Sequence, residues 1–368
     1  MASTLIITND FPPRIGGIES FVSDICELLD FDVVVYASGP PSGAGSDGDR
    51  RYPVIRDGSL LLPTRRLADR TADVLRRCGA TRVIFGAAAP LGLLAPRLRR
   101  AGAQRIIALT HGHETWWAAL PGSRQLLRRI GDGCDHLTTI SRYTSARVGR
   151  ALSASARARL LRLPPPVDTT RFVPAQRNRR HSSRSIAVGR FVPQKGLSTL
   201  LRAWRLVLEE RAASGAGELI LVGDGPDRPR LTSMISDLDL RGTVRMAGAM
   251  PRAEVITALQ QADLFVLPVR TRLGGLNPEG LGLAALEAAA CGLPVIIGDS
   301  GGAPETVRHG KTGFVVDPRD PVDLARKITT LLRDRELAVT MGAAGRSMVE
   351  KHFGRARAGA LLRRALEL

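Results

Sequence analysis

The chain has 368 residues, more than one ordinary domain needs and a comfortable length for two. Hydrophobic residues make up 44%, enough for two cores, and the longest apolar runs (264–269, 293–298) are strand-sized, well short of the ~18 residues of a membrane span. The net charge of +18, almost all of it arginine, reflects either compositional bias on solvated faces or attraction to an anionic partner, while aromatics at 4%, not interleaved with the basic runs, argue against nucleic acid.

From the first residues the pattern alternates β-rich runs with helical stretches. Met1 leads straight into an apolar strand with no basic leader or cleavage site, which argues against a secretory signal. Strands are predicted at 4–8, 32–36, 82–85, 105–109 and 136–140, with helices between them such as 18–29 and 123–131. Leu163-Pro164-Pro165-Pro166-Val167-Asp168 is then a stiff connector in which neither helix nor central strand can form. A second series follows at 185–188, 218–222, 243–246, 263–268, 294–297 and 313–316, with helices such as 197–210 and 254–261. The stretch 337–368 reads as basic amphipathic helix. Residues 39–51 and 175–184 read as loops. Four scattered cysteines (Cys26, Cys78, Cys134, Cys291) without a CxxC pair fit a reducing cytoplasm and argue against zinc or disulfides.

Strand–helix alternation implies parallel sheets covered on both faces. The expected fold is therefore α/β, with two facing Rossmann-like domains, 1–166 and 167–350, and an active-site cleft between them. Residues 351–368 are expected to form a helix packing back toward the first domain. Ligands of open parallel sheets bind outside the carboxyl ends of the strands, so the residues just after predicted strands matter most.

Four segments occupy such positions. Val188-Gly189-Arg190-Phe191-Val192-Pro193-Gln194-Lys195-Gly196 joins a strand to a helix, placing two cations beside free N–H groups and the positive end of the helix dipole. That suits a diphosphate, above all one gaining charge as it leaves; the plainer reading is two surface cations in a turn. In Asn277-Pro278-Glu279-Gly280-Leu281-Gly282-Leu283-Ala284-Ala285-Leu286-Glu287, glycines admit a ligand close to the backbone. There Glu279 and Glu287 can accept hydrogen bonds from different hydroxyls, or can be a cap and an ordinary helical glutamate. Asn9-Asp10-Phe11-Pro12-Pro13-Arg14-Ile15-Gly16-Gly17-Ile18 opens a helix with two glycines, a second anion or sugar contact or a simple tight turn. Thr110-His111-Gly112-His113-Glu114 ends a strand. The remaining histidines bring no ligand pattern, so a metal is discounted in favour of His111 as a hydrogen-bond partner.

Three other patterns are decoys. Gly298-Asp299-Ser300-Gly301-Gly302 matches a nucleophile elbow, which would make Ser300 a hydrolase nucleophile, but the proline two residues on shortens the helix and no triad order emerges. Asp-x-Asp occurs at 30/32, 47/49 and 237/239, a number expected by chance. Gly223-Asp224-Gly225 lacks the third glycine of a dinucleotide fingerprint.

Taken in order, the Arg190…Lys195-Gly196 loop, the Glu279…Glu287 pair and Pro166-Val167-Asp168 resemble the retaining glycosyltransferases of family 4, with the GT-B fold, over nearly the whole chain. Asn9 to Gly17, Thr110-His111-Gly112-His113-Glu114-Thr115-Trp116-Trp117, Arg270-Thr271-Arg272 and Ser300-Gly301-Gly302-Ala303-Pro304-Glu305-Thr306 are most similar to one group within it, the actinobacterial phosphatidyl-myo-inositol monomannoside mannosyltransferases (PimB type).

The resemblance implies that Arg190 and Lys195 hold the donor diphosphate. Glu279 and the backbone of Gly280, Leu281 and Gly282 would hold the sugar hydroxyls, and Glu287 the ribose. Gly16 and Gly17 would approach diphosphate and acceptor, and His111 the transferred sugar through its C6 hydroxyl. The implied catalytic set is His111, Arg190, Lys195 and Glu279. The implied donor is GDP-mannose, the acceptor a phosphatidylinositol mannoside joined through an α-1,6 linkage, with no cofactor and no metal. Cations on the leaving group can replace Mg²⁺, and same-face attack would retain the anomeric configuration.

Arg65, Arg66, Arg70, Arg76 and Arg77 share a predicted helix with Leu67, Val74 and Leu75, and Arg124, Arg128 and Arg129 lie beside Leu126 and Leu127. They read either as solvated faces or as a contact to anionic lipid, worth ~1 kcal/mol per cation near the surface. The expected location is cytoplasmic, peripheral on the inner face of the plasma membrane. Two other readings stand beside this one: a family 4 enzyme with another nucleotide-sugar or a soluble acceptor, and a serine hydrolase using Ser300.

Overall fold

Short β-branched runs that alternate with amphipathic helices fold as two doubly wound sheets. The computed structural model describes residues 4–14, 16–39, 47, 48, 50–175, 183–210 and 217–368. It divides into two compact units, Met1–Pro166 with Arg355–Leu368, and Val167–Gly354. Most of the loops read at 39–51 and 175–184 lies outside the described residues, as does Ile15.

The first unit carries seven strands: β1 (Thr4–Thr8), β2 (Val33–Ser38), β3 (Val54–Asp57), β4 (Arg82–Phe85), β5 (Arg105–Ala108), β6 (His136–Thr139) and β7 (Leu160–Arg162). All pair in parallel, in the order β3-β2-β1-β4-β5-β6-β7. Because side chains alternate across a strand, each sheet face builds its own core. Leu5, Ile7, Val34, Tyr36, Val83, Phe85 and Ile106 enter one, with Leu67 and Leu75 of the helix Arg65–Cys78. Ile6, Val33, Val35, Ile84 and Ile107 enter the other, with Phe21 and Ile25 of the helix Gly17–Leu28.

That second core also takes Ala358, Leu362, Ala365 and Leu366. The closing stretch is two helices rather than one: Arg335–Phe353 in the second unit and Arg355–Leu366 in the first, separated by Gly354 in extended backbone. The first of them runs unbroken past 350, so the units divide at Gly354. Arg355 pairs with Asp24 at 3.1 Å and Glu27 at 2.7 Å, and Arg82 Nε donates to the Leu366 carbonyl at 2.8 Å.

The second unit carries β8 (Arg184–Val188), β9 (Glu218–Val222), β10 (Val244–Gly248), β11 (Leu264–Leu267), β12 (Val295–Gly298) and β13 (Gly313–Val316). They too are parallel, in the order β10-β9-β8-β11-β12-β13. The central strands β11 and β12 are buried at every residue, the signature of a sheet covered on both faces. Sequence reading finds all six of these strands but misses β3 and β7, which are the two edges of the first sheet. Both are short, and neither presents the continuous apolar run of a central strand.

Candidate active site

In the second unit the strand order reverses between β8 and β11, so the loops leaving their carboxyl ends diverge and open a crevice there. Both strongest sequence motifs leave these two strands. After β8, Gly189 and Arg190 lead into a short turn, Pro193–Lys195, and then the helix Leu197–Glu210. Gly196 links them at φ +69°, and a Cβ there would sit 1.9 Å from the Pro268 carbonyl oxygen, so no other residue fits.

The loop after β11 is stitched onto this turn. The Arg270 amide donates to the Gln194 carbonyl at 2.8 Å, Arg270 Nε to the Pro193 carbonyl at 2.8 Å, and Gln194 Nε2 to the Pro278 carbonyl at 2.7 Å. Lys195 Nζ then meets Glu279 Oε2 at 2.7 Å, with both side chains mostly buried. Burial, with Arg272 and Arg230 nearby, holds Arg270 below its usual range, a sign of how much positive charge gathers here. Arg190 is exposed and has no carboxylate partner among the described residues. One cation is thus held by the Glu279 carboxylate, and the other is exposed.

Beyond Glu279 the amides of Gly280, Leu281 and Gly282 donate to no carbonyl among the described residues, and Gly282, at φ +94°, starts the helix Leu283–Ala290 without a side-chain cap. Such unspent N–H groups at a helix start suit anionic or hydroxylated ligands. The Leu281 side chain is buried in the core, so only its backbone can serve. Glu287 lies on this helix, nearly buried, with Oε1 3.0 Å from Arg252 Nη2.

Ser300 is a strut. It is 1% exposed, its Oγ accepts from the Glu279 amide at 3.2 Å and lies 2.9 Å from Thr271 Oγ1, and Gly302 donates to the Glu279 carbonyl at 2.9 Å. A buried hydroxyl engaged in this way, with no histidine bonded to it among the described residues, supports the Glu279 loop and is not poised as a nucleophile.

In the first unit the order reverses between β1 and β4. The loop after β1 is tied down by Asn9, whose side chain donates to the Leu61 carbonyl at 3.0 Å and accepts from its amide at 2.8 Å. Arg56 donates to the Pro12 carbonyl at 2.5 Å and Ser38 donates to that of Asn9 at 2.9 Å. Gly16 caps the helix Gly17–Leu28 in extended backbone, where a Cβ would press on the movable end of Glu19, and a Cβ on Gly17 would meet nothing.

His111 follows β5. Its Nε2 lies 2.5 Å from the Gly86 carbonyl, and the Phe21 ring meets it edge-on at 5.8 Å. A carbonyl can only accept, so Nε2 carries the hydrogen and Nδ1 of the neutral ring is an acceptor. Burial pushes the His111 pKa down, against the upward pull of Glu114 and Asp10 and with His113 adding to the lowering. Glu114 is fully buried. Its Oε2 accepts from the amides of His111 at 2.9 Å and Gly112 at 3.2 Å, and His113 Nε2 lies 3.3 Å from its Oε1. It therefore shapes the His111 loop.

The structure thus brings Arg190, Lys195, Glu279 and the 280–282 amides together in one unit, and Gly16, Gly17 and His111 to the switch point of the other. Arg252, Ser300, Glu114 and Asn9 were not singled out for these contacts. The contacts of Arg252, Ser300 and Asn9 join segments distant in sequence, and no local pattern carries that information.

Two family models cover the chain in turn: Glycosyltransferase Family 4 over residues 15–171, and Glycosyl transferases group 1 over 170–348. The chain is 42% identical, over 95% of its length and 94% of the relative's, to a GDP-mannose-dependent alpha-(1-6)-phosphatidylinositol monomannoside mannosyltransferase of Mycobacterium tuberculosis. It is also 42% identical, with the same coverage, to the GDP-mannose-dependent monoacylated alpha-(1-6)-phosphatidylinositol monomannoside mannosyltransferase of Corynebacterium glutamicum. Among solved structures, HepE of Anabaena in complex with UDP superposes with a TM-score of 0.79 at 18% identity, covering 99% of each chain. Sucrose-phosphate synthase of Thermosynechococcus elongatus superposes with 0.80 at 21%, covering 98% of each. The fold class is GT-B, with two Rossmann-like halves. The chain belongs to this glycosyltransferase family and is a glycosyltransferase.

Proposed function

We propose that the protein moves mannose from GDP-mannose to a phosphatidyl-myo-inositol mannoside, forming an α-1,6 linkage with retention and without a metal. The observation that carries the reading is the 2.7 Å Lys195–Glu279 bond at the β8/β11 switch point. It ties the ammonium suited to the departing diphosphate to the carboxylate suited to the sugar hydroxyls, so both groups are preset before any ligand arrives. Whole-chain relatedness to enzymes named for this donor and acceptor supports the choice of substrates.

In this reading Arg190 and Lys195 stabilise the charge that builds on the diphosphate as its bond to the sugar C1 breaks. Glu279 and the 280–282 amides hold the sugar. Glu287 takes the ribose, and Gly16 and Gly17 let diphosphate and acceptor come close. Neutral His111 offers Nδ1 to a sugar hydroxyl, that on C6. The acceptor oxygen bonds to C1 on the face the diphosphate leaves, and its proton passes to the departing phosphate oxygen.

The acceptor is a lipid, and the proposed location is the cytoplasmic face of the membrane. No helix among the described residues is long and apolar enough to cross it. Contact would be peripheral, through arginines such as Arg65, Arg66, Arg77, Arg128 and Arg129, all exposed and without an ion pair among the described residues, on helices whose Leu67, Leu75 and Leu127 face the core.

The test is a donor panel of GDP-mannose, UDP-glucose and UDP-N-acetylglucosamine with a phosphatidylinositol mannoside acceptor. Products are read by mass, and by NMR for linkage and anomer, with and without EDTA. The expected result is one added hexose from GDP-mannose, α-1,6-linked, at a rate EDTA does not change. Transfer from UDP-sugars alone would overturn the donor, and a β product would overturn retention.

A further inference from the structure

Arg252 contacts Glu287, although no motif marks it. It opens the helix Arg252–Gln261, a few residues after β10. Its guanidinium stacks over the fully buried Phe172 ring, with 5.2 Å from Cζ to the ring centroid, and its Nη2 lies 3.0 Å from Glu287 Oε1. The Glu287 side chain is only 11% exposed. Removing one partner of so buried a pair is far costlier than forming it is rewarding. The ring on one face and the carboxylate at one edge leave the guanidinium little freedom. It therefore sets the direction of the carboxylate.

We propose that Arg252 is a positioning residue for the nucleotide ribose. It holds Glu287 aimed, so that the vicinal 2′ and 3′ hydroxyls of a nucleoside diphosphate find an acceptor already in place. This rests on the reading that Glu287 takes the ribose. A carboxylate has lone pairs enough to serve the guanidinium and two hydroxyls together. The gain is lower reorganisation on binding, and it is specific to ligands that carry those hydroxyls.

Calorimetric Kd values for GDP and 2′,3′-dideoxy-GDP, measured on the wild-type chain and on Arg252→Met, Arg252→Lys and Glu287→Gln, test this. The wild type should prefer GDP by ~30-fold, as expected for hydrogen bonds to a charged acceptor. Arg252→Met should weaken GDP by ~10-fold and dideoxy-GDP by less than ~2-fold, the pattern of a lost acceptor rather than a damaged fold. Glu287→Gln should compress the preference similarly, and Arg252→Lys should restore part of it. Equal weakening of both ligands by Arg252→Met, or of neither, would overturn the proposal. A wild type that binds both equally would overturn it too, along with the ribose role of Glu287, while leaving the mannosyl reading intact. A wild type that binds UDP but not GDP would overturn the donor instead, and the same comparison with UDP and 2′,3′-dideoxy-UDP would then decide the role of Arg252.

Discussion

The two helix-opening turns at the switch points, 189–196 after β8 and 9–17 after β1, differ in what their glycines are for. Gly196 is demanded by the protein itself, at φ +69° and pressed against the Pro268 carbonyl. Gly298, at the end of β12, and Gly301 in the loop after it are similar: a Cβ would come within 2.1 Å of the Val269 carbonyl oxygen at the first and of the Glu279 carbonyl oxygen at the second. Gly17 is not demanded in this way, since a Cβ there would meet open space. A glycine that packing does not require, at the start of a helix and at a switch point, leaves room for a ligand's approach in the proposed reading. Packing thus demands these glycines of the second unit and does not demand Gly17.

That contrast can be broken or sharpened, starting with the largest effect. Lys195→Ala should lower kcat/KM by ~100- to 1000-fold, the usual loss when a preset charge on a leaving group is removed, and should lower Tm as well, since Glu279 is left mostly buried without its counter-charge. An unaffected rate would detach the turn from the chemistry. Gly196→Ala should act on the fold instead, costing ~3 kcal/mol or more in denaturant unfolding through backbone strain and overpacking. Gly17→Ala should do the reverse. Stability should hold or rise by up to ~1 kcal/mol, since alanine is the better helix former, while kcat/KM falls ~10-fold or more. If activity survives Gly17→Ala, the first turn is only a turn.

A smaller effect concerns pH. Burial lowers the His111 pKa, so the ring is neutral at pH 7 with Nδ1 as acceptor. As pH falls below the ordinary histidine value near ~6.5, the unfolded chain takes up a proton before the folded one does, so stability is full above that value and declines through the folded pKa. Activity should fall on the same limb as Nδ1 protonates, and His111→Asn should remove that limb from the pH profile of kcat. Smallest is thiol reactivity. Burial pushes Cys26 and Cys134 up to about 12, and Cys291 is also buried, whereas Cys78 is partly exposed. A thiol reagent should label Cys78 first and the others only on unfolding.

The difference between the two turns also marks what a sequence can express. Strands with near-continuous apolar runs, such as 218–222 and 294–297, were legible because burial on both faces writes itself into each residue. The edge strands β3 and β7 were not, since their pairing depends on neighbours distant in sequence. The division of the closing stretch falls at Gly354, shortly after the boundary read at 350/351, for a related reason: helical periodicity continues across it, and only docking of 355–366 on the first sheet separates the halves. At the site, Arg190 and Lys195 could be read because they stand just after a strand with glycines beside them, and Glu279 and Glu287 because they flank the glycines that open the helix Leu283–Ala290. The Ser300 strut, the Arg252–Glu287 pair and the Glu114 clamp on the His111 loop could not. Each is a buried polar contact, two of them between distant segments, and the local pattern at Ser300 pointed to a nucleophile instead.

The central claim is that the turn after β8 grips the diphosphate through Arg190 and Lys195. A crystal structure of the protein with GDP tests it most directly. The account predicts phosphate oxygens within ~3 Å of both cations, as charge-assisted hydrogen bonds require. Nucleotide density elsewhere in the molecule, with that turn unoccupied, would contradict it.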